Sequence, residues 1–281
     1  MTLSFGRPVH EDGVYPRRLR RTGLAISLAI LTAICLLSLA VGAQPMLPGR
    51  VIAALVTDPP TDDYAVVSGL RMPRTLLGIV AGMALGVAGA LMQAVTRNPL
   101  ADPGLLGVNA GAVFAVVLAV DLFGLRDMTS YVWFALLGAL AGTSAVFAIS
   151  AAGGRDIDPV RLTLAGVAVG AALGGLSQVV MLLHPESFDE MRHWSAGSLS
   201  RPAASVMLVL VPLVMAGLSL ALLVARHLNA LALGEDVAAG LGVGTQRTRI
   251  IAVVAISLLA GGATAAAGPI AFVGLMAPHV A

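Results

Sequence analysis

Hydrophobic residues in this chain form long continuous runs separated by short polar segments. Seven runs have about the 20 residues that a helix needs to cross a bilayer core, and an eighth begins at Ile270. The pattern predicts transmembrane helices at these approximate positions: Gly23–Ala43, Pro73–Val95, Leu105–Gly124, Tyr131–Ala152, Val160–Leu183, Ala203–Ala225 and Ile250–Gly268. We therefore expect an all-α, polytopic membrane helix bundle.

The composition supports this expectation. Of the 281 residues, 58% are apolar and 11% are charged, whereas soluble domains average about 45–50% and about 25%. A water-soluble core of this size could not hide so many apolar side chains, so lipid must be the main solvent. Residues 1–22 are predicted to be a cytoplasmic N-terminal tail, and residues 23–281 a single transmembrane domain.

All 17 basic residues are arginine, because the chain contains no lysine. It therefore has neither the lysine of an ATP-binding P-loop nor a Schiff-base lysine, and any energy from ATP must come from a partner. The five histidines lack metal-ligand spacing, and no nucleophile motif occurs. We predict no catalytic residues, no metal site and no enzymatic activity.

The arginines are distributed unevenly between the two sets of loops. With a cytoplasmic N-terminus, eleven arginines fall inside and six outside, as the positive-inside rule requires. The first apolar run exceeds the roughly 7–15 residues of a signal peptide, so we expect a retained helix. The N-terminus is thus predicted to be cytoplasmic.

Two segments interrupt the apolar pattern. In Asn98–Gly104, two prolines bracket a polar turn, so the helix must break there. At membrane depth, such backbone is tolerated only where it is buried in protein or lines a cavity. The alternative is that the segment forms a turn at the membrane surface. Leu231–Val243 is too short and too acidic to cross. It predicts a short helix that either docks another protein or lies on this protein's own surface.

Two further features each have two interpretations. Arg71 and Arg74 lie about one helical turn apart, where paired guanidinium groups suit carboxylate recognition or contacts with lipid head groups. The fifth run combines polar residues with small ones, which fits either a passage lining or close helix packing. Its passage-lining candidates are Thr163, Gly166, Gly170, Gly174, Ser177 and Gln178. The G-x-x-x-G spacing also occurs at Gly82/Gly86 and Gly138/Gly142, where it predicts helix packing.

The chain also carries several long motifs in this order: Leu70–Leu76, Gly89–Gln93, Asn98–Gly107, Trp194 with Gly197–Leu199, Leu233–Ala238, Leu241–Val243 and Gly268–His279. Together they resemble the FecCD family, the permease subunits of ABC importers for iron siderophores, haem and cobalamin. The resemblance covers the chain from about Gly49 to its end. It implies a ten-helix permease fold, of which about seven to eight helices are present.

The resemblance also implies a set of partners. A permease of this family pairs with a second copy or a paralogue, and the passage lies between the two. Two cytoplasmic ATPase subunits bind the ATP, while a periplasmic or lipid-anchored substrate-binding protein delivers the cargo. For this chain we expect the plasma membrane of a bacterium, no cofactor of its own, no nucleic acid, and a ferric siderophore as cargo.

By the same resemblance, three groups of residues acquire expected roles. Coupling to the ATPase is expected of Gly234, Glu235, Asp236, Ala238, Gly240 and Gly242. Docking of the substrate-binding protein is expected of Arg71 and Arg74, and the cytoplasmic gate is expected at Asn98 and Leu100.

Two alternatives to an active permease follow from the sequence. Family members continue well past the proline–histidine motif, so a chain ending at Ala281 resembles a C-terminally truncated permease, and a non-transporting fragment is one alternative. An ion-coupled secondary transporter is the other. Such proteins often carry an ionisable residue at mid-span, whereas the central parts of the seven runs contain none.

Overall fold

The computed structural model describes residues 17–56, 62–125, 128–152, 159–184, 194–199 and 204–280, and every regular element in these residues is helical. The α-helices are α1 (Arg17–Ala40), α2 (Pro48–Val56), α3 (Asp62–Val66), α4 (Met72–Thr96), α5 (Val108–Phe123), α6 (Met128–Ala151), α7 (Pro159–Leu183), α8 (Ala204–Ala232), α9 (Glu235–Gly240), α10 (Thr245–Ala267) and α11 (Val273–Val280). A π-helical turn, Val67–Arg71, follows α3, and a 3-10 turn, Pro103–Leu106, precedes α5. The all-α prediction is confirmed.

Within the described residues, six helices are long and apolar enough to cross a membrane, and α5 is a shorter apolar helix. The six candidate spans are Arg21–Ala40, Asp62–Thr96, Ser130–Ala151, Val160–Leu183, Ser205–Ala232 and Thr245–Ala267. Together with α5 they match the seven predicted runs. The helix ends differ, because α1 already begins at Arg17 inside the predicted tail. Arginine is a good helix former, whereas residues 1–16 of that tail lie outside the described residues.

The chain divides into two compact units, Met1–Arg71 and Met72–Ala281. The described part of the first unit contains a small buried cluster and an ion pair in which Arg50 contacts Asp63 at 2.7 Å. The members of the cluster are Met46, Val51, Ala54 and Val67. Helix α1 contributes little to burial, since none of its candidate span is buried within the chain.

The second unit is built around α10. This helix packs against α4, α5, α6 and α8, and 78% of its candidate span is buried. Its C-terminal third consists mainly of alanine and glycine, which lets neighbouring membrane helices approach closely. Helices α5 and α6 meet in the same way, because a Cβ on Gly138 would collide with the carbonyl oxygen of Gly111. The glycine spacing at Gly138 and Gly142 therefore serves helix packing.

Candidate functional site

Charged side chains at the helix ends distinguish the two ends of the second unit. The carboxylate of Asp121 near the end of α5 contacts Nδ1 of His184, which directly follows α7. Arg97, after α4, lies close to Glu235 of α9. Because α5 and α7 run parallel and α4 runs opposite to them, these pairs mark opposite ends of the bundle. We call the end that holds α9 the α9 end.

Helix α9 is a short element with defined ends. Glu235 and Asp236 occupy its first turn, where negative charge complements the helix dipole. At its other end, the N–H of Val243 donates to the carbonyl of Ala238 (2.9 Å), and the N–H of Gly242 donates to that of Ala239 (2.9 Å). This pair of bonds is a Schellman motif. Gly242 has a φ of 76°, which an L side chain would strain.

The two faces of α9 differ in their surroundings. Ala238 is fully buried and belongs to the main core cluster. In contrast, Val237 is 49% exposed, Leu241 is 65% exposed, and Leu233 just before the helix is 69% exposed. One face therefore packs on the protein's own bundle, as the second interpretation predicts, whereas the other face is open, and docking of another protein there stays a prediction.

The six predicted coupling residues fall into two groups. Glu235 and Ala238 contact the bundle, and Gly234 is partly buried. The exposed group consists of Asp236, Gly240 and Gly242. Sequence reasoning missed the exposed apolar residues Leu233, Val237 and Leu241, although their spacing of four residues was a readable signal. The coupling role itself stays a prediction.

Three charged side chains meet at the base of α9. Arg249 of α10 donates from Nη2 to Oε1 of Glu235 (2.5 Å), and Nη2 of Arg97 lies 3.9 Å from the same oxygen. The Arg249 side chain is 11% exposed and that of Glu235 is 37% exposed, so loss of the Glu235 charge would cost less than the about 3–5 kcal/mol of a fully buried pair. The Arg97 pair is more exposed, and such pairs contribute about 0–1 kcal/mol. Sequence reasoning missed both arginines.

The predicted gate segment, Asn98–Gly104, is held by local side-chain bonds. The N–H of Leu100 donates to Oδ1 of Asn98 (2.9 Å), and the N–H of Gly104 donates to Oδ1 of Asp102 (2.8 Å). Asx turns of this kind let a chain reverse without helical backbone bonds. Asn98 and Leu100 are both exposed, and their gating role stays a prediction.

The second half of this segment is buried inside the bundle. Ala101, Pro103 and Leu106 are all buried. A Cβ on Gly166 of α7 would collide with the carbonyl oxygen of Leu105, and a Cβ on Gly274 of α11 would lie 2.8 Å from Pro103. The second half of the irregular segment is therefore enclosed by protein, which is one of the two surroundings in which such backbone is tolerated inside a membrane.

Helix α7 presents its six passage-lining candidates to different surroundings. Gly166 is packed against Leu105, and the buried Ser177 hydroxyl donates to the carbonyl of Leu173 (2.8 Å). The exposed candidates are Gly174 and Gln178, and partly buried are Thr163 and Gly170. Passage lining stays a prediction for all six.

The two predicted docking arginines are also in different environments. Arg71 is only 4% exposed, and its guanidinium donates to the carbonyls of Leu39 (2.7 Å), Ala40 (2.8 Å) and Gln44. It thereby satisfies backbone acceptors at and after the end of α1. Arg74 is partly buried. A docking role stays a prediction for both residues, and the contacts of Arg71 indicate a structural role within the first unit.

Two motifs that are distant in sequence meet at the opposite end of α10. The N–H of Ser198 donates to the carbonyl of Ala267 (2.7 Å), and Gly268 has a φ of 79°. A Cβ on Gly268 would collide with the carbonyl oxygen of Trp194. The Trp194–Gly197 motif and the Gly268 motif therefore form one packed contact, which only glycine permits.

Comparison with known proteins agrees with this architecture. A ferric enterobactin transport system permease protein, FepD of Escherichia coli, is 49% identical over 92% of this chain and 77% of its own length. The hemin transport system permease protein HmuU of Yersinia pestis is 38% identical over 75% of this chain and 64% of its own length. A solved inward-facing structure of an ABC transporter described as metal-chelate type shares the fold, with a TM-score of 0.77, 23% identity, and coverage of 92% of this chain and 80% of that chain.

The model of the FecCD transport family matches residues 30–281, which is most of the chain. The match includes every element of the second unit and the motifs at Asn98–Gly107 and Leu233–Ala238. The family suggested by the sequence motifs is therefore confirmed, as is a multi-pass membrane protein of a transport class. This chain belongs to the FecCD transport family.

Proposed function

We propose that this chain is the permease subunit of a binding-protein-dependent ABC importer, and that helix α9 is its contact with the ATPase. One observation carries the proposal: α9 is anchored to the bundle by Ala238 while Leu233, Val237 and Leu241 stay exposed. An apolar surface outside the bundle that is rimmed by polar residues is typical of a protein interface. Closing of the ATPase subunits would push this helix and rock the bundle.

The composition of the chain supports an external source of energy. A protein without lysine cannot bind ATP through a P-loop, so ATP would be held by two partner subunits. The proposed complex also contains a second permease, either a copy or a paralogue, and a substrate-binding protein on the opposite side. The arginine bias of the loops supports a cytoplasmic N-terminus and a cytoplasmic α9 end.

A ferric siderophore is the proposed cargo. The relative named for ferric enterobactin is 49% identical, whereas the relative named for hemin is 38% identical. Large ligands are bound mainly by the soluble receptor. This chain would therefore contribute a passage for the cargo, beside the exposed part of α7. The residues proposed to line it are Gly170, Gly174 and Gln178, with Thr163 nearer the α9 end.

Gly240→Trp tests the contact with the ATPase. Gly240 is exposed, and a Cβ there would meet no atom within 4 Å, so the bulky side chain fits the isolated chain. In vesicles with the ATPase and binding protein, we expect uptake of the iron chelate to fall by about tenfold or more, because disruption of an interface hot spot has an effect of this size. Pull-down of the ATPase should weaken in parallel, while the amount of inserted permease stays unchanged.

Gly49→Trp is the matched control. A Cβ at Gly49 also meets no atom within 4 Å, but this residue lies in the first unit, beside Arg50. The control should bind the ATPase like the unmodified protein. Unimpaired uptake in the Gly240 variant would contradict the proposed contact, and uptake driven by an ion gradient without any ATPase would indicate a secondary transporter instead.

A further inference from the structure

A cluster of three charged side chains links α9 to the predicted gate segment. Glu235 is the first residue of α9, Arg249 lies in the first turns of α10, and Arg97 directly follows α4. One carboxylate oxygen of Glu235 is 2.5 Å from Nη2 of Arg249 and 3.9 Å from Nη2 of Arg97. The carboxylate thus bridges two helices that are far apart in the sequence.

Arg97 makes a further contact that fixes its position. Its Nη2 donates to the carbonyl of Leu231 (2.6 Å), in the last turn of α8. The same carbonyl also accepts from the N–H of Gly234 (3.1 Å), so Arg97 is a second donor there, and its charge complements the negative end of the α8 dipole. One guanidinium group therefore touches both the end of α8 and the start of α9.

The backbone of Arg97 also determines where the gate segment begins. Its φ is 50°, and the N–H of Asn98 donates to the carbonyl of Gln93 (3.2 Å), so α4 ends at this point. A non-glycine residue in the left-handed region is uncommon and needs surrounding contacts to hold it there. The side-chain contacts of Arg97 with Leu231 and Glu235 are such contacts.

The Glu235 carboxylate is held by contacts within the chain itself. It is engaged by Arg249, whereas the exposed surface of α9 is formed by Val237 and Leu241. The apolar residues can bind a partner while Glu235 keeps its contacts with the bundle. A displacement of α9 would therefore act on Arg97 directly.

We propose that Glu235 and Arg97 form the link that transmits movement of α9 to the gate segment at Asn98, so that both are positioning residues for transport. This inference rests on the proposed function and on the predicted gate at Asn98 and Leu100. Glu235 belongs to α9 and Arg97 directly precedes Asn98, so the pair connects the helix to the gate segment. Arg249 holds the Glu235 carboxylate in place. Loss of the link should uncouple ATP hydrolysis from uptake without releasing the ATPase.

Arg97→Gln is the test variant, because it leaves the more buried Glu235–Arg249 pair intact. In vesicles containing the ATPase and binding protein, we expect uptake per ATP hydrolysed to fall about 5-fold or more, the lower range of a site-to-site coupling. ATPase pull-down and insertion should stay at the unmodified level. Arg97→Lys keeps the charge and should restore part of the uptake, and Arg226→Gln, an exposed arginine near the end of α8, should behave like the unmodified protein.

A second readout reports on the gate directly. Cys35 is the single cysteine, so Cys35→Ser with Leu100→Cys places one thiol on the exposed part of the gate segment. We expect ATP to change the rate at which a maleimide labels this thiol. Adding Arg97→Gln should abolish the change, whereas adding Arg226→Gln should preserve it.

Three outcomes separate the possible failures. Arg97→Gln with normal uptake per ATP, or with an unchanged ATP effect on labelling, would overturn the link. Joint loss of ATPase binding, insertion and uptake would also overturn it, because Arg97 would then be merely structural. Failure of the unmodified chain to show ATPase-dependent uptake would instead refute the proposed function.

Discussion

At the scale of single residues, the same residue type serves different purposes according to its surroundings. Arg71 and Arg74 are three positions apart in sequence, yet Arg71 is buried and binds backbone carbonyls. A guanidinium group has five donors in a fixed geometry and suits several carbonyls at once. The sequence motif that contains both arginines therefore does not imply one shared role.

Arg71→Gln should loosen the backbone that follows α1. The variant removes charge-assisted bonds to the carbonyls of Leu39, Ala40 and Gln44, each worth about 1.5–3 kcal/mol. Hydrogen exchange measured by mass spectrometry should become faster in residues 41–46.

Arg74→Gln separates this effect from docking. It should leave exchange in residues 41–46 unchanged and weaken binding of the purified substrate-binding protein. Unchanged exchange in the Arg71 variant would show that these carbonyl contacts contribute nothing, and normal receptor binding by the Arg74 variant would remove its predicted docking role.

At the scale of the elements, glycine positions decide which helix faces approach the gate segment. On α7, Gly166 adjoins the carbonyl of Leu105, whereas a Cβ at Gly174 would meet no atom within 4 Å. The two glycines share the same four-residue spacing pattern. One is a contact position of the bundle, and the other remains open to whatever covers α7 in the assembly.

Gly166→Ala should therefore destabilise the protein, and Gly174→Ala should not. The added methyl at Gly166 meets the fixed backbone of the 3-10 turn, and overpacking of this kind costs about 1–3 kcal/mol. At Gly174 alanine should be neutral or stabilise the helix by up to about 1 kcal/mol. The midpoint of denaturant unfolding in detergent measures both, and equal midpoints would contradict the packing role of Gly166.

At the scale of the whole molecule, the two ends of the second unit carry different charged clusters. The Asp121–His184 pair marks one end, and the group of Arg97, Glu235 and Arg249 marks the other. This separation follows from helices that alternate in direction. The α9 end is the one that holds Arg97 and Arg249. With a cytoplasmic N-terminus this end faces the cytoplasm, where an ATPase can reach α9.

Labelling of single cysteines tests this topology. In the Cys35→Ser background, Leu122→Cys at the end of α5 should react with a membrane-impermeant maleimide on intact cells. The arginine bias of the loops and the proposed cytoplasmic position of α9 both place this residue outside. Leu233→Cys beside α9 should react only after permeabilisation. Both leucines are exposed in the isolated chain, and expressing the permease without its ATPase keeps the proposed contact surface at Leu233 uncovered. The reverse labelling pattern would overturn the proposed orientation and with it the access of an ATPase to α9.

Much of the architecture, including the short helix α9, could be predicted from the sequence. The seven apolar runs became helices because a bilayer-length apolar segment can satisfy its backbone only as a helix. The proline-bracketed break at Asn98–Gly104 and the short helix at Glu235–Gly240 appeared where local chemistry required them. These features depend on neighbouring residues alone.

Contacts between distant segments were decided by the tertiary structure. No local pattern shows that Arg97 meets Glu235, that Gly166 adjoins Leu105, or that Arg71 is buried beside the end of α1. Each depends on which helices become neighbours and on how they are rotated about their axes. Periodicity within one helix defines its faces, and only packing of the whole bundle determines which face is covered.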